Sequence, residues 1–399
     1  MADCSTVLAG PLCTMLLADL GADVVKVEPP DGDATRGWGP PWVGSTADGT
    51  RTAAYFLAVN RNKRSLRLDL RTEAGRQVLG RLLERADVAI ENFRVGGFAQ
   101  LGFDEAELRR RNERLVHLAI SGYGPTGPDA ARPGYDFVVQ ATGGLMSITG
   151  DPDPDSGGPM KVGVAISDIV SGLFGTVAVL AALLERERTA PPAAARGQRI
   201  DVSLLGSTLA VLANQAHNAF VTGVPPERHG NAHPNIVPYE AFPTSDGQLV
   251  VAVGSERQWR RFCAALELPA LADDPRFATN GDRVVHRREL RPLVAERLAA
   301  HPTAHWQAAF ETADVPCGPI LDVLAAFDAP QATALGMSAI VEHPVLGTLR
   351  QVGIPFALER TPAAIRTAPP LLGEHTDEIL GELGFDPSGI AALRASGVV

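Results

Sequence analysis

The chain has 399 residues, 45% hydrophobic and 21% charged, which is enough for more than one core and ordinary for a globular protein. A formal net charge of -10 leaves no electrostatic footprint for nucleic acid or an anionic membrane, so any anionic ligand must be held by local basic groups. Four cysteines (Cys4, Cys13, Cys263, Cys317) without CxxC spacing exclude a zinc site and a disulfide framework; with no basic n-region ahead of Lys26, they predict a cytoplasmic protein with reduced thiols.

The first half alternates two periodicities. VLAGPLCTMLLADLGA reads as a helix after a Gly-Pro turn, with Pro11 in its first turn and Gly21 past its end. DVVKVEPP follows as a short buried strand stopped by two prolines. Strand SLRLDL (65–70) leads into a helix with Val78, Leu79, Leu82 and Leu83 on one face. Strand ADVAIENF (86–93), helix FDEAELRRRN and strand LVHLAISGYG (115–124) complete the series. Strands alternating with amphipathic helices predict an α/β fold, with a large Rossmann-like parallel sheet covered on both faces.

The stretch from Pro133 to Glu185 places Asp168 at the mouth of a long uncharged run, Ile169 to Leu184, punctuated by Gly172 and Gly175 and too short to span a bilayer. A helix apolar all round is expected in a core. Free N–H groups and the helix dipole would then stabilise the Asp168 anion, making it a candidate nucleophile. An aspartate before an apolar helix is equally an ordinary N-cap, and a pocket opening onto the carboxylate would decide between the two.

TAPPAAARG (189–197) reads as a surface connection, after which QRIDVSLLGSTLAVLA resumes strand and helix. The segment VTGVPPERHGNAHPNIVPYEAFPTSDG is dense in Pro, Gly, Asn and His, as a linker or a functional loop would be. Strand QLVVAVG (248–254) and helices around Trp259 to Leu266, Arg288 to Leu298 and Thr303 to Ala313 predict a smaller α+β domain. The expected boundaries are a large domain over 1–188, a linker and connecting helix over 189–225, the small domain over 226–322 and a return to the large domain over 323–399.

Several cofactor signatures are missing. There is no GxGxxG after the first strand, no GxxxxGK[ST], no HExxH around His229 and His233, and no GxSxG. Chemistry is therefore expected from side chains acting on a diffusible substrate, without a tightly bound cofactor or metal.

Segments 8–36 (LAGPLCTMLLADLGADVVKVEPPDGDATR), 60–70 (NRNKRSLRLDL), 86–93 (ADVAIENF), 133–144 (PGYDFVVQATGG), 166–172 (ISDIVSG), 197–204 (GQRIDVSL), 314–320 (DVPCGPI) and 370–380 (PLLGEHTDEIL) together resemble the class III coenzyme A transferases, the CaiB/BaiF family. The resemblance implies that Asp168 is the nucleophile, forming acyl anhydride and CoA thioester intermediates. It places coenzyme A, a substrate, against Leu8, Arg36, Leu68, Leu70, Arg71, Asn92, Phe93, Tyr135 and Asp136. Arg36 and Arg71 are chemically suited to its phosphates, whereas Leu8 and Phe93 could equally be plain core. It further implies an interlinked homodimer.

Within the family, the run HGNAHPNIVPYEAF looks most like members that transfer CoA from succinyl-CoA to short dicarboxylic acids. Arg228, His229, His233 and Asn235 are then candidates for contacting the acceptor, with a plain polar surface loop as the alternative. The sequence departs from the family pattern in three places: the loop 230–240 lacks the usual glycines, Gln100 stands where a basic residue is common, and only MADCSTV precedes the LAGP segment. Either a short first strand or a late start of the chain is accordingly expected, which would weaken one sheet edge without touching Asp168. An α-methylacyl-CoA racemase of the same superfamily is the alternative activity, although Tyr135 occupies the position of its histidine and an unperturbed phenol is a poor base. A non-catalytic acyl-CoA-binding protein is the remaining alternative.

Overall fold

The computed structural model describes all residues except 48, 154–156 and 192–193, so part of the connection expected at 189–197 lies outside the described residues. Its strands in chain order are β1 (Ala2–Cys4), β2 (Val24–Glu28), β3 (Trp42–Val43), β4 (Thr52–Ala53), β5 (Lys63–Arg67), β6 (Val88–Glu91), β7 (Val116–Ser121), β8 (Arg199–Ser203), β9 (Tyr239–Pro243), β10 (Gln248–Ala252), β11 (Cys317–Pro319), β12 (Ser338–His343) and β13 (Gly347–Val352). Six of them form one parallel sheet in the order β5-β2-β1-β6-β7-β8. Successive strands are laid outward on one side of β1 and then on the other, so the order reverses between β1 and β6. In open α/β sheets, that reversal opens a crevice at the carboxyl ends of the strands.

The expectation of a weak edge at the N-terminus is corrected. β1 is short but central, pairing Ala2 with Val25 on one side and with Ala89 on the other. A buried ionic cluster anchors it: Asp3 accepts from Ser5 at 2.5 Å and Thr14 at 2.7 Å and pairs with Lys63 at 3.1 Å. These partners outweigh the cost of burying Asp3 and hold its carboxyl down at about 2.

One face of the sheet packs on helix Glu73–Arg85, through Val78, Leu79, Leu82 and Leu83, and on Ile379 and Leu380 from the C-terminal segment. The other face packs on helices Ala9–Asp19 and Ile166–Arg188. The latter approaches closely because of its glycines: a Cβ on Gly172 would lie 2.7 Å from the Ala9 carbonyl oxygen, and one on Gly175 3.0 Å from a Leu118 methyl. Complete burial of this helix, expected from its composition, does not occur within one chain. Ser171, Gly172, Gly175, Val179 and Ala182 are buried, whereas Leu173, Phe174, Val177, Leu180 and Leu184 are exposed. The expectation that the run is too short to span a bilayer is corrected as to length: the helix extends beyond the uncharged run to 23 residues, long and apolar enough to cross a membrane by length and composition, and its small-residue side covers the sheet.

The chain divides into a first unit of 1–145, 162–217 and 330–399 and a second of 146–161 and 218–329. The span 189–225 is therefore not simply a linker, because β8 and the helix Leu204–Ala210 within it belong to the first unit. The second unit has an antiparallel sheet ordered β11-β10-β9 and a core around Trp259, Phe262, Trp306 and Phe310, supplied by helices Glu256–Ala265 and Thr303–Thr312. Strands β9, β11 and the hairpin β12–β13 extend the sequence reading.

Candidate active site

A cavity of about 230 Å³ opens where the strand order reverses. Thr6 to Ala9 line it after β1, Asn92 to Val95 after β6, and Ile120 to Gly122 at the end of β7; Ala130 to Tyr135, Leu204 and Asp168 complete it. Asn92 ties the first two walls together, accepting the Thr6 N–H at 2.9 Å and donating to the Thr6 carbonyl at 2.7 Å. Gly122 and Gly134 touch backbone to backbone, and a Cβ on Gly122 would fall 2.5 Å from the Gly134 Cα, so neither position admits a side chain. Val7 is held at φ 70°, a costly conformation for a β-branched residue, and its N–H points to Asp33 at 3.3 Å. Asp33 is buried and paired with Lys26 at 3.0 Å, which ties the strained turn to the core charges.

Asp168 is the third residue of helix Ile166–Arg188, and the N-cap position belongs to Ala165, which makes no side-chain cap. The ordinary N-cap reading is thus set aside: a cavity opens onto this carboxylate. Its anion is not favoured as expected from the helix dipole. Burial first, and the charge of Asp136 second, push the Asp168 carboxyl up to about 7. The Ser167 N–H donates to Asp136 Oδ1 at 2.8 Å, so that donor of the first turn serves the neighbouring carboxylate.

Of the residues expected against coenzyme A, Leu8, Asn92, Phe93 and Tyr135 line this cavity with Asp168. Asp136 lies behind it, accepting from Ser167 and from Gln140 at 2.8 Å. Arg36 does not line this cavity. Its Nε and Nη2 each donate to Glu28 at 2.7 Å, Nη1 and Nη2 reach the Pro370 carbonyl at 3.2 Å, and the guanidinium stacks on Phe56. Each of its three nitrogens already has a partner inside the protein. Leu68 is fully buried in the core and Leu70 packs against that core, while Arg71 is 79% exposed on its fork to Asp69. None of these three lines the cavity.

Three residues not singled out in the sequence belong here. Arg94 and Arg132 are the basic side chains on the cavity wall. Arg94 is exposed and has no carboxylate partner among the described residues; Arg132 pairs with the half-exposed Asp129 at 3.0 Å and sits over the Tyr123 ring. The Tyr55 phenol is pushed up to about 12 by burial, then by the charges of Asp168, Asp136 and Asp33, which places it within electrostatic reach of the site. The arginine following ENF was a readable signal; Tyr55 had none, because only folding brings it near.

Arg228, His229, His233 and Asn235 lie in the second unit. Arg228 donates to the Asp151 carbonyl at 2.9 Å, and the Asn235 N–H donates to His233 Nδ1 at 3.0 Å. Burial and then the Arg287 guanidinium hold both imidazoles below their ordinary range, which favours their neutral forms.

The sequence pattern described as CoA-transferase family III matches residues 1–376. The chain is 45% identical over 378 residues to the succinate–glutarate CoA-transferase of Agrobacterium fabrum, covering 94% of this chain and 92% of the relative. It is 39% identical to the succinyl-CoA:glutarate CoA-transferase of Mus musculus, covering 100% and 88%. A crystal structure of a CAIB/BAIF family protein from Brucella suis superposes with a TM-score of 0.83 at 42% identity, covering 96% and 97%.

Proposed function

Because the chain belongs to CoA-transferase family III, we propose that it moves coenzyme A from succinyl-CoA to a short dicarboxylic acid through covalent intermediates on Asp168. The single observation that carries this reading is the carboxylate of Asp168 opening onto a cavity at the reversal of strand order. Relatives named for succinyl-CoA with glutarate and, in Haloarcula marismortui, mesaconate support the choice of acids.

In the proposed cycle an Asp168 oxygen attacks the thioester carbonyl. The C–S bond breaks, coenzyme A leaves as thiolate, and a mixed anhydride joins Asp168 to the donor acyl group. The thiolate then attacks the Asp168 carbonyl carbon, expelling the donor acid as carboxylate and leaving an aspartyl-CoA thioester. The acceptor carboxylate attacks the same carbon, the thiolate leaves again, and a second anhydride forms. Thiolate attack on the acceptor acyl carbon releases the new thioester and restores the Asp168 carboxylate. Each step exchanges one acyl bond for another without redox change. Water must be kept from the anhydride and thioester intermediates, which it would hydrolyse.

With Arg36 buried, Arg94 and Arg132 are the cavity's candidates for the coenzyme's anionic groups. Arg71 is a candidate for a phosphate at the periphery, where it is exposed. Arg228, His229, His233 and Asn235 are proposed for the acceptor's distal carboxylate. A second copy of the chain is the proposed occupant of the apolar row Leu173, Phe174, Val177 and Leu180, supported by its exposure on an otherwise core-forming helix. A cytoplasmic location belongs to the same reading, supported by the four free thiols. Racemisation is disfavoured because no histidine is among the described residues lining the cavity.

Hydroxylamine trapping of an enzyme-bound acyl group tests the proposal. Wild type incubated with succinyl-CoA should yield a hydroxamate and Asp168→Asn none; absence of any adduct in wild type would sink the covalent mechanism. α-Deuterium uptake by a chiral 2-methylacyl-CoA without an acceptor would instead establish the racemase.

A further inference from the structure

Beneath the Asn92–Phe93 wall lies a second cavity of about 90 Å³, which shares Phe93, Val95, Ile120 and Ser121 with the first. His117 of β7 faces it, 3% exposed, and neither of its ring nitrogens has a hydrogen-bond partner in the protein; nor has Oε2 of Glu105. The three orphans stand in a row with Glu91. His117 Nε2 is 3.9 Å from Glu91 Oε1, and Nδ1 is 3.8 Å from Glu105 Oε2. Unpaired buried polar atoms are rare and costly, so a row of them indicates an arrangement that completes itself in another protonation state.

That state is easily identified. A neutral imidazole carries one donor and one acceptor. With the proton on Nδ1 it faces the Glu105 carboxylate, and Nε2 then needs a donor, which Glu91 supplies only when it carries a proton. Glu91 accepts the Phe93 N–H on its other oxygen, Oε2, at 2.6 Å, a bond that is charge-assisted when Glu91 is ionised and weaker when it carries a proton. The Asn92–Phe93 turn that it holds is the wall of the Asp168 cavity.

We propose that Glu91 is a positioning residue for coenzyme A, whose carboxylate holds the Asn92–Phe93 wall through Oε2 and whose protonation on Oε1, offered to His117, weakens that bond and loosens the wall. The inference rests on the reading that the Asp168 cavity takes coenzyme A. The surrounding charges are compatible with it. Burial pushes Glu91 up to about 7 and, with Arg199, pushes His117 down to about 4, so near neutrality the pair's proton resides on Glu91. The other charged groups at this cavity are Arg199 and Asp201 of β8, forked together at 2.8 Å, and Asp104 and Glu105 at the start of helix Glu105–Arg111. Glu105 gives its other oxygen to Arg109 at 2.9 Å.

The test is calorimetric binding of coenzyme A to Asp168→Asn, which silences the titration of the nucleophile, with and without Glu91→Gln. The amide introduced by Glu91→Gln mimics the protonated carboxyl, and ionisations of the ligand are common to both proteins. The expected result is equal affinity at pH 6 and about fivefold tighter binding by the Glu91 protein at pH 8. An affinity ratio that does not change between the two pH values overturns the proposal. If Asp168→Asn binds no coenzyme A at either pH, the transferase reading of the cavity falls and this proposal with it. A readout that needs no Glu91 variant is the pair of His117 imidazole ¹⁵N resonances, identified by their loss in His117→Phe. Between pH 6 and 8, Nε2 should shift as it loses a donor while the ring stays neutral. Imidazolium formation with a midpoint near 7 would overturn the assignment.

Discussion

Asp136 caps the helical turn that carries Asp168 and, through its own charge, makes Asp168 harder to ionise. The two carboxylates have been separated by their surroundings: Asp136 is tied down by Ser167 and Gln140, whereas Asp168 faces the cavity. An acid held near neutrality is a better nucleophile than a fully stabilised carboxylate and a better leaving group than an alkoxide, as repeated acyl exchange requires.

The first prediction concerns rate and pH. The nucleophile is the ionised form, and its carboxyl lies at about 7. kcat/KM for succinyl-CoA should therefore fall about tenfold per pH unit below pH 7 and level off above it. Rates from pH 5 to 9 check this, and a plateau extending down to pH 5 would reject the assignment.

The second concerns stability. Asp168 binds its proton more tightly folded than unfolded, so between about 4 and 7 the native state holds the extra proton and stability falls as pH rises. Asp168→Asn removes that cost. It should be more stable than wild type by roughly 1–3 kcal/mol at pH 8, less than the full shift because the cavity is open to solvent, and nearly equal to it at pH 4. Denaturant unfolding at the two pH values gives the answer.

Arg94→Ala and Arg132→Ala should each raise KM for succinyl-CoA about tenfold, a loss of about 1.4 kcal/mol, with kcat largely kept. Steady-state kinetics with the acceptor saturating measure it. A loss confined to the acceptor's KM would move these arginines to the other substrate.

Arg36→Ala should behave differently, leaving Glu28 buried without its fork partner. Breaking such a pair from one side costs about 3–5 kcal/mol. The variant should unfold at markedly lower denaturant, and a fully stable protein with only weakened coenzyme binding would return Arg36 to the phosphate role.

Much of this molecule was legible in one dimension because its signals are local. The helix Ala9–Asp19, the buried strand VVKVE and the helix carrying Val78 and Leu82 declare themselves by period and by flanking glycine and proline. β9 and the hairpin β12–β13 carry weaker marks, since half-exposed strands such as SAIVEH mix polar and apolar residues. Asp168 stood out as the lone charge before an apolar run, and the ordered motif segments supported its role.

The amino-acid order by itself determined the α/β class, the candidate nucleophile and the want of any local cofactor signature, because periodicity, composition and short motifs are properties of neighbours along the chain. Only the tertiary structure decided which arginines face the cavity, that three residues of β1 can form the centre of a sheet, and that Asp168 is held near neutrality. Burial, pairing and field depend on groups far apart in sequence: Arg36 is consumed by Glu28 and Pro370, and Asp168 feels Asp136, through contacts that exist only after the chain has closed on itself.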